Sequence, residues 1–430
     1  MTFSGKIRPA AIDHVVVIHD YATPEGGAGM LALAAARAYR DEGLPVTLLA
    51  GGTGDAVPGD LDGIEVISLG AKGLLKTSAA TAILQGLHNR AARDALFAWI
   101  GRNDTPRTVY HLHNWSQILS PAVFEALRPV ERRTIVTCHD FFNSCPNGGF
   151  VNFNRSEPCR LRPLSAACLA SQCDRRSAMH KYWRTARHVH LERLARFAGN
   201  RATFTFLHPR MRDRFVEAGF PAADLRVVPN PVEPWTRERV GAEANWRLLF
   251  VGRVGRDKGA DIAAEAAHAA NVPLTVVGTG ELAEDLPVRF AGVEMAGWRD
   301  RAGVVAAARR ARALIAPSRV VEPFGLAILE AAMSGLPVLV SDRAYLAQDA
   351  VRDEFGIAFN PSDLAGLAEI IARIGRDDEL VRRMSCNGLS RAAAYTQSAA
   401  EWANAFIEIF REKLSASSAA RGRFDAADAA

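Results

Sequence analysis

The sequence predicts a two-domain α/β protein in which each domain is built on a doubly wound parallel sheet. The chain has 430 residues, of which 49% are hydrophobic and 23% charged, a length and balance that suit two globular domains. Near its start, an apolar run at 14–18, a glycine-containing loop, a helical stretch at 30–40 and a second apolar run at 46–50 form a β-α-β pattern. A second series of such units begins near Trp246. Units of this kind place helices on both faces of a parallel sheet.

The apolar runs and the segment between the two series define the predicted domains. The first series has runs at 14–18, 46–50, 63–68, 109–112 and 134–138, and the second has runs at 247–251, 274–277, 313–316 and 338–340. A segment with three prolines and many charges separates the series. We therefore predict an N-terminal domain at 1–228 with an insertion at about 143–176, a linker at 229–245 and a C-terminal domain at 246–397.

The last part of the chain is predicted to be one amphipathic helix at 398–414 followed by a tail. The apolar face of that helix carries Trp402, Phe406, Ile409 and Phe410. Such a face needs a partner, and we expect the helix to pack back toward the N-terminal domain. The tail at 415–430 is small, polar and rich in alanine, so we expect it to be flexible.

Composition and charge exclude several classes of protein. The 52 Lys and Arg residues exceed the 47 Asp and Glu residues by only 5, too few for a dedicated nucleic-acid binder. The first twenty residues lack the apolar core of a signal peptide, and no apolar run approaches the ~18 residues of a membrane-spanning helix. We therefore expect a cytoplasmic protein, in which the six cysteines are not read as disulfides by default.

The most informative motif is EPFGLAILEAAMSGLPV at 322–338. Glu322 precedes a Pro-Phe-Gly turn that opens a predicted helix at 326–334, and Glu330 lies inside that helix. The free N–H groups at the start of a helix favour an anion such as phosphate. Eight positions at 1.5 Å rise would separate the two carboxylates by up to ~12 Å, more than the ~5–9.5 Å of a glycosidase pair. Each carboxylate is therefore expected to bind a different part of the substrate.

A second motif, LLFVGRVGRDKGAD at 248–261, follows a predicted strand. Gly252 lets the chain turn at the end of the strand, and Arg253 and Lys258 follow it. Paired cations at the mouth of a strand suit a diphosphate, whereas ordinary surface cations remain the alternative reading of the motif taken alone.

A dinucleotide-binding site in the first glycine loop is a competing hypothesis. The residues Gly27, Gly29 and Ala32 fit the spacing G-x-G-x-x-A, yet eight residues separate Gly27 from the end of the preceding run at Ile18. That fingerprint should follow its strand at once, with an acid about 20 residues later, and no acid ends the next run. The pattern therefore argues against NAD binding.

The two motifs at 248–261 and 322–338, in this order, resemble those of the retaining glycosyltransferases of family 4, and the resemblance covers roughly residues 12–410. That family has the GT-B fold, so the resemblance implies two Rossmann-like domains facing across a cleft. Gly278 in TVVGTGEL matches the family's glycine turn, and Gly297 lies where the family has a loop near the nucleotide base.

Weaker matches lie in the first half of the chain. Gly26 and Gly27 match the glycine pair that faces the donor phosphates in family 4 enzymes. His139, in TIVTCHDFF, matches a histidine at a strand end near the reacting sugar. The resemblance implies that His139 touches the donor sugar and helps to orient it.

The resemblance also implies a role for each residue of the two main motifs. Arg253 and Lys258 would neutralise the nucleoside diphosphate as it leaves, a form of electrostatic stabilisation. Glu322 would bind hydroxyls of the donor sugar, with the backbone of Phe324 and Gly325 near the sugar and phosphate. Glu330 would hold the ribose hydroxyls, as acidic residues do in other nucleotide sites.

The function that follows is transfer of a sugar, with retention of configuration, from a nucleotide-diphosphate-sugar to a glycan or lipid-linked acceptor, as in the synthesis of cell-surface polysaccharide or glycolipid. No cofactor is expected to be required for catalysis. The alternatives are a GT-B nucleotide-sugar epimerase or phosphorylase, or an inactive glycan-binding protein. The joint presence of Glu322, Arg253 and Lys258 argues against lost activity.

Four cysteines lie close together in the sequence, within the segment that resembles an insertion found in a subset of family 4 enzymes. They are Cys145, Cys159, Cys168 and Cys173. Only the last pair has a spacing usual for zinc ligands. A structural zinc site, disulfides and unlinked buried thiols all remain open at this point.

A strongly basic segment follows at 175–201, with eight Lys or Arg residues against one acid. The apolar residues expected on one helical stripe are Met179, Tyr182, Trp183, Ala186, Val189, Leu194 and Phe197. Such a helix could lie on an anionic membrane surface, or it could be a domain helix whose basic face, including Arg184 and Arg187, is solvated. Either geometry suits an anionic or lipid-linked acceptor.

Overall fold

The computed structural model describes residues 11–24, 26–52, 61–196 and 201–428. The chain divides into two compact units. The first unit is Met1–Gly148, Leu161–Val228 and Ala399–Ala430, and the second is Gly149–Arg160 and Pro229–Ser398. The main sheet of each unit consists of parallel strands, which confirms the predicted α/β class.

Every apolar run that the sequence marked as a strand forms one. In chain order the strands are β1 (His14–His19), β2 (Val46–Ala50), β3 (Glu65–Ser68), β4 (Thr108–Leu112), β5 (Thr134–Cys138), β6 (Val151–Asn152), β7 (Glu157–Pro158), β8 (Thr203–Phe206), β9 (Leu225–Val227), β10 (Arg247–Val251), β11 (Leu274–Val277), β12 (Val293–Gly297), β13 (Ala311–Ala316), β14 (Val338–Ser341) and β15 (Gly356–Phe359).

Helices separate most of these strands. In chain order they are α1 (Gly26–Asp41), α2 (Ala79–Leu87), α3 (Arg90–Asn103), α4 (Ala122–Ala126), α5 (Ala166–Ala170), α6 (Ala178–Ala195), α7 (Pro209–Glu217), α8 (Ala260–Ala269), α9 (Leu286–Arg289), α10 (Arg301–Arg309), α11 (Leu326–Met333), α12 (Ala347–Arg352), α13 (Leu364–Arg376), α14 (Asp378–Arg391) and α15 (Ala399–Asp428).

The first unit is built on a seven-stranded sheet in the order β3-β2-β1-β4-β5-β8-β9. Its central strands are buried along nearly their whole length, as expected for a parallel sheet covered on both faces. The second unit has a six-stranded sheet in the order β12-β11-β10-β13-β14-β15. The small antiparallel pair of β6 and β7 comes from the predicted insertion and belongs to the second unit.

Helix α15 completes the core of the first unit. Trp402, Phe406, Ile409 and Phe410, the four residues of the predicted apolar face, are buried there together with Tyr39 and strand residues of β1 and β2. The helix continues to Asp428, so the tail expected to be flexible from residue 415 is helical over that stretch.

The buried face of helix α6 differs from the apolar stripe expected from the sequence. Its buried residues are Lys181, Arg187, His188, Leu191 and Ala195. Met179 and Tyr182, which would face the core if α6 were a domain helix burying its whole stripe, are 76% and 57% exposed, and Phe197 lies outside the described residues. The prediction was wrong because it took every cation for a solvated one, whereas the long stems of Lys and Arg can be buried if their charged ends find partners.

Candidate active site

Two loops of the second unit carry the predicted donor-binding residues, and they follow neighbouring strands. β10 and β13 pair in parallel at the centre of the sheet. From β10 the sheet continues through β11 on one side, and from β13 through β14 on the other, so the strand order reverses between them. Ligands of open α/β sheets bind outside the carboxyl ends of the strands at such a point. The motifs at 248–261 and 322–338 therefore meet at one edge of the sheet.

Lys258 and Glu322 form an ion pair between these two motifs. The Lys258 ammonium donates to Oε2 of Glu322, and both side chains are only partly buried. The backbone fixes Glu322, because its N–H donates to the Arg343 carbonyl at 3.3 Å and its carbonyl accepts from the Tyr345 N–H at 3.1 Å. A carboxylate held in this way can accept hydrogen bonds from ligand hydroxyls while Lys258 offers a positive charge to phosphate.

Arg253 lies on the same loop as Lys258 and is more exposed. Its guanidinium donates to Oδ2 of Asp257, and its side chain is 54% exposed while that of Asp257 is 16% exposed. A partly exposed ion pair of this kind contributes at most about 1 kcal/mol. The guanidinium can therefore leave Asp257 for a phosphate at little cost.

The turn before α11 has the backbone conformation that its glycine requires. Gly325 caps the helix with φ of 77°, a left-handed value that favours glycine. The buried Phe324 ring anchors the turn. Farther along α11, burial raises the pKa of Glu330, although the nearby Arg301 charge and a hydrogen bond from Trp235 act in the opposite direction.

Three predicted glycines line the ends of β10, β11 and β12. The Gly252 N–H donates to the Val277 carbonyl at 3.0 Å, and the Gly278 N–H donates to the Gly297 carbonyl at 2.8 Å. A Cβ atom at Gly278 would lie 1.9 Å from the Gly252 carbonyl oxygen, so glycine alone permits this approach. Next to Gly297, the side chain of Trp298 is 72% exposed.

Arg343 was not singled out in the sequence analysis. Its side chain links part of the insertion to the rest of the second unit by hydrogen bonds. Its guanidinium donates to the carbonyls of Ser156 and Arg319 and lies 3.3 Å from the Ser362 hydroxyl. Ser156 lies in the turn between β6 and β7. The Arg343 backbone carbonyl accepts from the backbone N–H of Glu322, so one residue contacts both the insertion and the backbone of the residue predicted to bind the sugar. No spacing pattern in the sequence indicates this contact.

In the first unit, Gly26 and Gly27 lie in the first turn of α1, after β1. His139 directly follows β5, and its Nε2 lies 2.9 Å from Nδ1 of His113, which directly follows β4. His19 is the last residue of β1. His139 was singled out by the family resemblance, whereas a search for polar residues at the ends of buried strands would also have found His19 and His113. Both could therefore have been found from the sequence.

The four clustered cysteines, for which a zinc site was one of three hypotheses, are not grouped as metal ligands in the described parts of the chain. Cys145, Cys168 and Cys173 are buried in the first unit, whereas Cys159 belongs to the second. The Lys181 ammonium lies 3.2 Å from Cys173 Sγ and 3.8 Å from Cys168 Sγ, where a second cation would be repelled. In the described parts of the chain, no three His, Cys, Asp or Glu side chains are grouped to hold a metal ion.

The described cysteines are also unlinked, so of the three hypotheses the structure supports unlinked thiols, buried at Cys145, Cys168 and Cys173 and half-buried at Cys159. Nothing in the sequence indicates that Lys181 would take this place, because a lysine in a basic segment normally faces solvent.

Arg187 of α6 is buried, and two of its three guanidinium nitrogens donate to backbone carbonyls. Its Nε donates to the Gly86 carbonyl and one terminal nitrogen donates to the Ser116 carbonyl, both at 2.7 Å. The guanidinium also lies over the rings of Trp115 and Trp183, at 5.1 and 5.6 Å. Burial lowers the pKa of Arg187 to about 10. This cation therefore holds the first unit together and is not part of a solvated basic face.

No helix in the described ranges has the length and apolarity needed to cross a membrane. The basic residues that remain exposed around α6 include Arg175, Arg176, Arg193 and Arg196.

Comparisons with known proteins identify the family of the chain. The family model described as "Glycosyl transferase 4-like domain" matches residues 26–231, and the model "Glycosyl transferases group 1" matches residues 232–391. Glycogen synthase of Mycobacterium tuberculosis is 29% identical over 192 residues, a match that covers 40% of this chain and 45% of that protein. The chain thus spans less than half the length of the curated relatives it matches.

Solved structures share the whole fold at low sequence identity. Sucrose-phosphate synthase of Thermosynechococcus elongatus is 18% identical with a TM-score of 0.69, covering 94% of this chain and 100% of that one. Anabaena HepE, solved with UDP-glucose, is 16% identical with a TM-score of 0.64, covering 93% and 99%. With both halves matched by the family models, the chain has the GT-B fold and belongs to the group 1 glycosyltransferases.

Proposed function

We propose that this chain transfers a sugar from a nucleotide-diphosphate-sugar to a glycan or lipid-linked acceptor with retention of configuration. The observation that carries the proposal is the meeting of Lys258, Glu322 and Arg253 at the carboxyl ends of β10 and β13. Two positive charges and a carboxylate at one edge of a sheet suit a diphosphate joined to a polyhydroxyl ring. The family membership and the UDP-glucose complex of Anabaena HepE support the same class of donor.

Each residue then has a defined part in the reaction. Arg253 and Lys258 stabilise the charge that develops on the diphosphate as the bond between the anomeric carbon and the phosphate oxygen breaks. Glu322 accepts hydrogen bonds from donor sugar hydroxyls, and Glu330 accepts them from the ribose. The acceptor oxygen bonds to the anomeric carbon on the face that the phosphate leaves, and its proton passes to a phosphate oxygen. This route retains configuration without a nucleophilic side chain.

The leaving-group role of Arg253 has a closely matched control within the same unit. Arg289 forms an i,i+4 pair with Asp285 and is 52% exposed, as Arg253 forms an i,i+4 pair with Asp257 and is 54% exposed. We expect Arg253→Ala to lower kcat about a hundredfold or more, since lost stabilisation of developing charge acts on the transition state. Arg289→Ala should keep normal activity. Near-normal transfer by Arg253→Ala would contradict the proposal.

Donor class and stereochemistry are tested with the unmodified protein. UDP, GDP and ADP and their sugars are screened first by thermal shift, because a ligand at a hundred times its Kd adds about 2.7 kcal/mol of stability. NMR of the first product formed from the selected donor then shows its anomeric configuration. An inverted product would contradict retention. Release of an epimerised sugar would identify the protein as a nucleotide-sugar epimerase instead of a transferase. Phosphorolysis of a glycan would identify it as a phosphorylase.

We also propose an anionic surface, such as that of a membrane carrying a lipid-linked acceptor, as the partner of the first unit. The relevant residues are the exposed Arg175, Arg176, Met179 and Tyr182 at the start of α6, since exposed apolar side chains beside cations suit an anionic interface. Arg175→Glu with Arg176→Glu should abolish flotation with vesicles rich in anionic phospholipid. Arg193→Glu with Arg196→Glu, at the other end of α6, should float normally. Equal flotation of both variants would contradict the proposed surface.

A further inference from the structure

The segment 317–322, which leads from β13 to Glu322, lies directly against the loop that carries Lys258. A Cβ atom at Gly259 would lie 2.0 Å from the Pro317 carbonyl oxygen, so the two backbones are in contact there. Gly259 has φ of 74°, a left-handed value that favours glycine. Because the approach is this close, the position of Glu322 relative to Lys258 depends on how the segment 317–322 is fixed.

Arg319, in the middle of this segment, binds it to the motif at 248–261. Its backbone N–H donates to the Asp257 carbonyl at 2.9 Å, and one terminal nitrogen donates to the Arg256 carbonyl at 2.7 Å. The guanidinium also donates to both carboxylate oxygens of Asp261, at 2.5 and 3.0 Å. Two parallel hydrogen bonds of this kind fix a direction as well as a distance, so backbone and side-chain contacts together hold the segment.

Arg343, two residues after the end of β14, holds the same segment at two further points. Its guanidinium donates to the Arg319 carbonyl at 2.6 Å, and its backbone carbonyl accepts from the Glu322 N–H at 3.3 Å. Arg343 is buried, and buried polar groups depend on such partners. This residue therefore helps to fix both the middle and the end of the segment.

A third contact of Arg343 comes from the insertion hairpin, a name used here for β6, β7 and the turn between them (residues 151–158). The guanidinium donates to the Ser156 carbonyl, and Ser156 has φ of 52°, in the left-handed region. Burial lowers the pKa of Arg343, and the carboxylates of Asp342 and Glu157 act in the opposite direction. Glu157 belongs to β7, so the insertion hairpin supplies both an acceptor and a negative charge to Arg343.

The insertion hairpin has an unusual place along the chain. In sequence it lies between β5 and β8 of the first unit, yet residues 149–160 belong to the second unit. Each of its strands has only two residues, and an isolated two-stranded hairpin is at best marginally stable in water. The hairpin therefore needs its contacts with the second unit. Its contact with Arg343 is connected to Glu322 through one backbone hydrogen bond.

We infer that Arg343 is a positioning residue for Glu322 and that the insertion hairpin acts on the donor site through Arg343. The inference rests on the proposed function, in which Glu322 binds hydroxyls of the donor sugar. The planar guanidinium of Arg343 carries five donors in fixed directions, and it joins the Ser156 carbonyl to the segment that carries Glu322. When that link is lost, the sugar-binding carboxylate is free to shift, whereas the cations for the diphosphate stay in place.

Arg312 offers a matched control in the same unit. It is also buried, and its guanidinium donates at 2.6 to 3.0 Å to three backbone carbonyls, those of Ile374, Glu243 and Asn245. Arg312 lies near the start of β13, whereas the segment 317–322 follows the end of that strand. Both arginines join carbonyls from separate segments and should matter for stability, but Arg343 adjoins the donor site and Arg312 does not.

The test measures equilibrium binding of a nucleotide-sugar and of its free nucleotide to the full chain by calorimetry. The probes are UDP-glucose with UDP, GDP-mannose with GDP and ADP-glucose with ADP, and the wild type selects the pair. Arg343→Met should raise the Kd of the nucleotide-sugar about five- to tenfold and leave that of the free nucleotide unchanged, because only the sugar contacts Glu322. Its kcat should fall about ten- to a hundredfold. Arg312→Met should leave the ratio of the two Kd values unchanged.

A second pair of variants tests the insertion hairpin and keeps Arg343 intact. Proline cannot adopt a positive φ, so Ser156→Pro displaces the carbonyl that Arg343 binds. Asn271, in the turn before β11, has φ of 54°, and Asn271→Pro imposes the same strain at the amino edge of the sheet. We expect Ser156→Pro to raise the Kd ratio as Arg343→Met does, and Asn271→Pro to leave it unchanged. Arg343→Met combined with Ser156→Pro should be no weaker than Arg343→Met alone, because both changes break one link.

The outcomes separate the inference from the proposed function. An unchanged Kd ratio in Arg343→Met and Ser156→Pro, or equal weakening of the nucleotide-sugar and the free nucleotide, would overturn the inference and leave the transferase standing. A changed ratio in Arg343→Met alone would overturn the role of the hairpin. If Arg343→Met fails to fold, Ser156→Pro decides the question. A wild-type protein that binds no nucleotide-sugar would overturn the proposed function instead.

Discussion

The two units treat charge in opposite ways at equivalent places in their sheets. In the second unit, the loops after β10 and β13 carry partly exposed ion pairs, Lys258 with Glu322 and Arg253 with Asp257. In the first unit, the corresponding strand ends carry the buried imidazoles of His19 and His113, and the cations Arg187 and Lys181 are buried. Exposed pairs can exchange partners at little cost, whereas buried charges cannot. The difference indicates that the charged side chains able to exchange partners lie at the strand ends of the second unit, whereas those named in the first unit are fixed by burial.

The largest effect should come from removing a buried charge of the first unit. Arg187→Met leaves the Gly86 and Ser116 carbonyls without their donors and Asp20 without its nearby cation. We expect the free energy of unfolding to fall by about 3–5 kcal/mol, measured by urea denaturation. Arg289→Ala, which breaks an exposed pair, should cost less than about 1 kcal/mol. Similar losses in the two variants would remove the distinction between the units.

A slightly smaller effect, on activity and not on stability, is expected in the second unit. Glu322→Gln keeps the shape of the side chain but removes the charge that faces Lys258 and that, in the proposed function, binds the donor hydroxyls. We expect the turnover number to fall about a hundred- to a thousandfold with an almost unchanged melting temperature. Glu294→Gln, in the exposed pair with Arg247, is the control and should keep full activity. A Glu322→Gln protein that loses stability as well as activity would show that the pair is structural.

The pH dependence of stability tests whether His19 is neutral. Burial lowers its pKa in the folded protein to about 4, while the unfolded chain has the ordinary value near 6.5. Between these values the unfolded state binds a proton that the folded state does not, so the contribution of His19 to stability falls as pH falls from about 6.5 to 4. We expect the stability difference between the wild type and His19→Gln to shrink by about 3 kcal/mol over this range. A constant difference would mean that His19 is not desolvated.

The smallest expected signal concerns the thiols around Lys181. With an ammonium 3.2 Å from Cys173 Sγ, we expect purified protein to carry less than about 0.2 zinc per chain. Metal analysis by mass spectrometry of the protein purified without chelators measures this. Cys173→Ser should leave the zinc content unchanged. A content of one zinc per chain that falls in Cys173→Ser would show that zinc, and not the Lys181 ammonium, lies beside Cys173.

The fold was predictable from the sequence because its strands are buried on both faces and therefore stand out as apolar runs. The positions of the motifs at 248–261 and 322–338 were predictable for a related reason, since each motif begins at or shortly after such a run. Strands such as β12 and β15 were missed, because VEMAG and GIAF mix small or polar residues with apolar ones. The buried face of α6 could not be predicted, because a helical pattern does not show that Lys181 and Arg187 have partners from distant parts of the chain.

The position of α15 has a consequence for how the molecule is assembled during synthesis. Trp402, Phe406 and Phe410 fill the core of the first unit, yet they are made after the whole stretch Pro229–Ser398 of the second unit. Domains usually fold in the order in which they leave the ribosome. Here the first unit lacks part of its interior until α15 has emerged, so the second unit can reach its native state first. Truncation at Ser398 should accordingly unfold the earlier half of the chain and spare the later half.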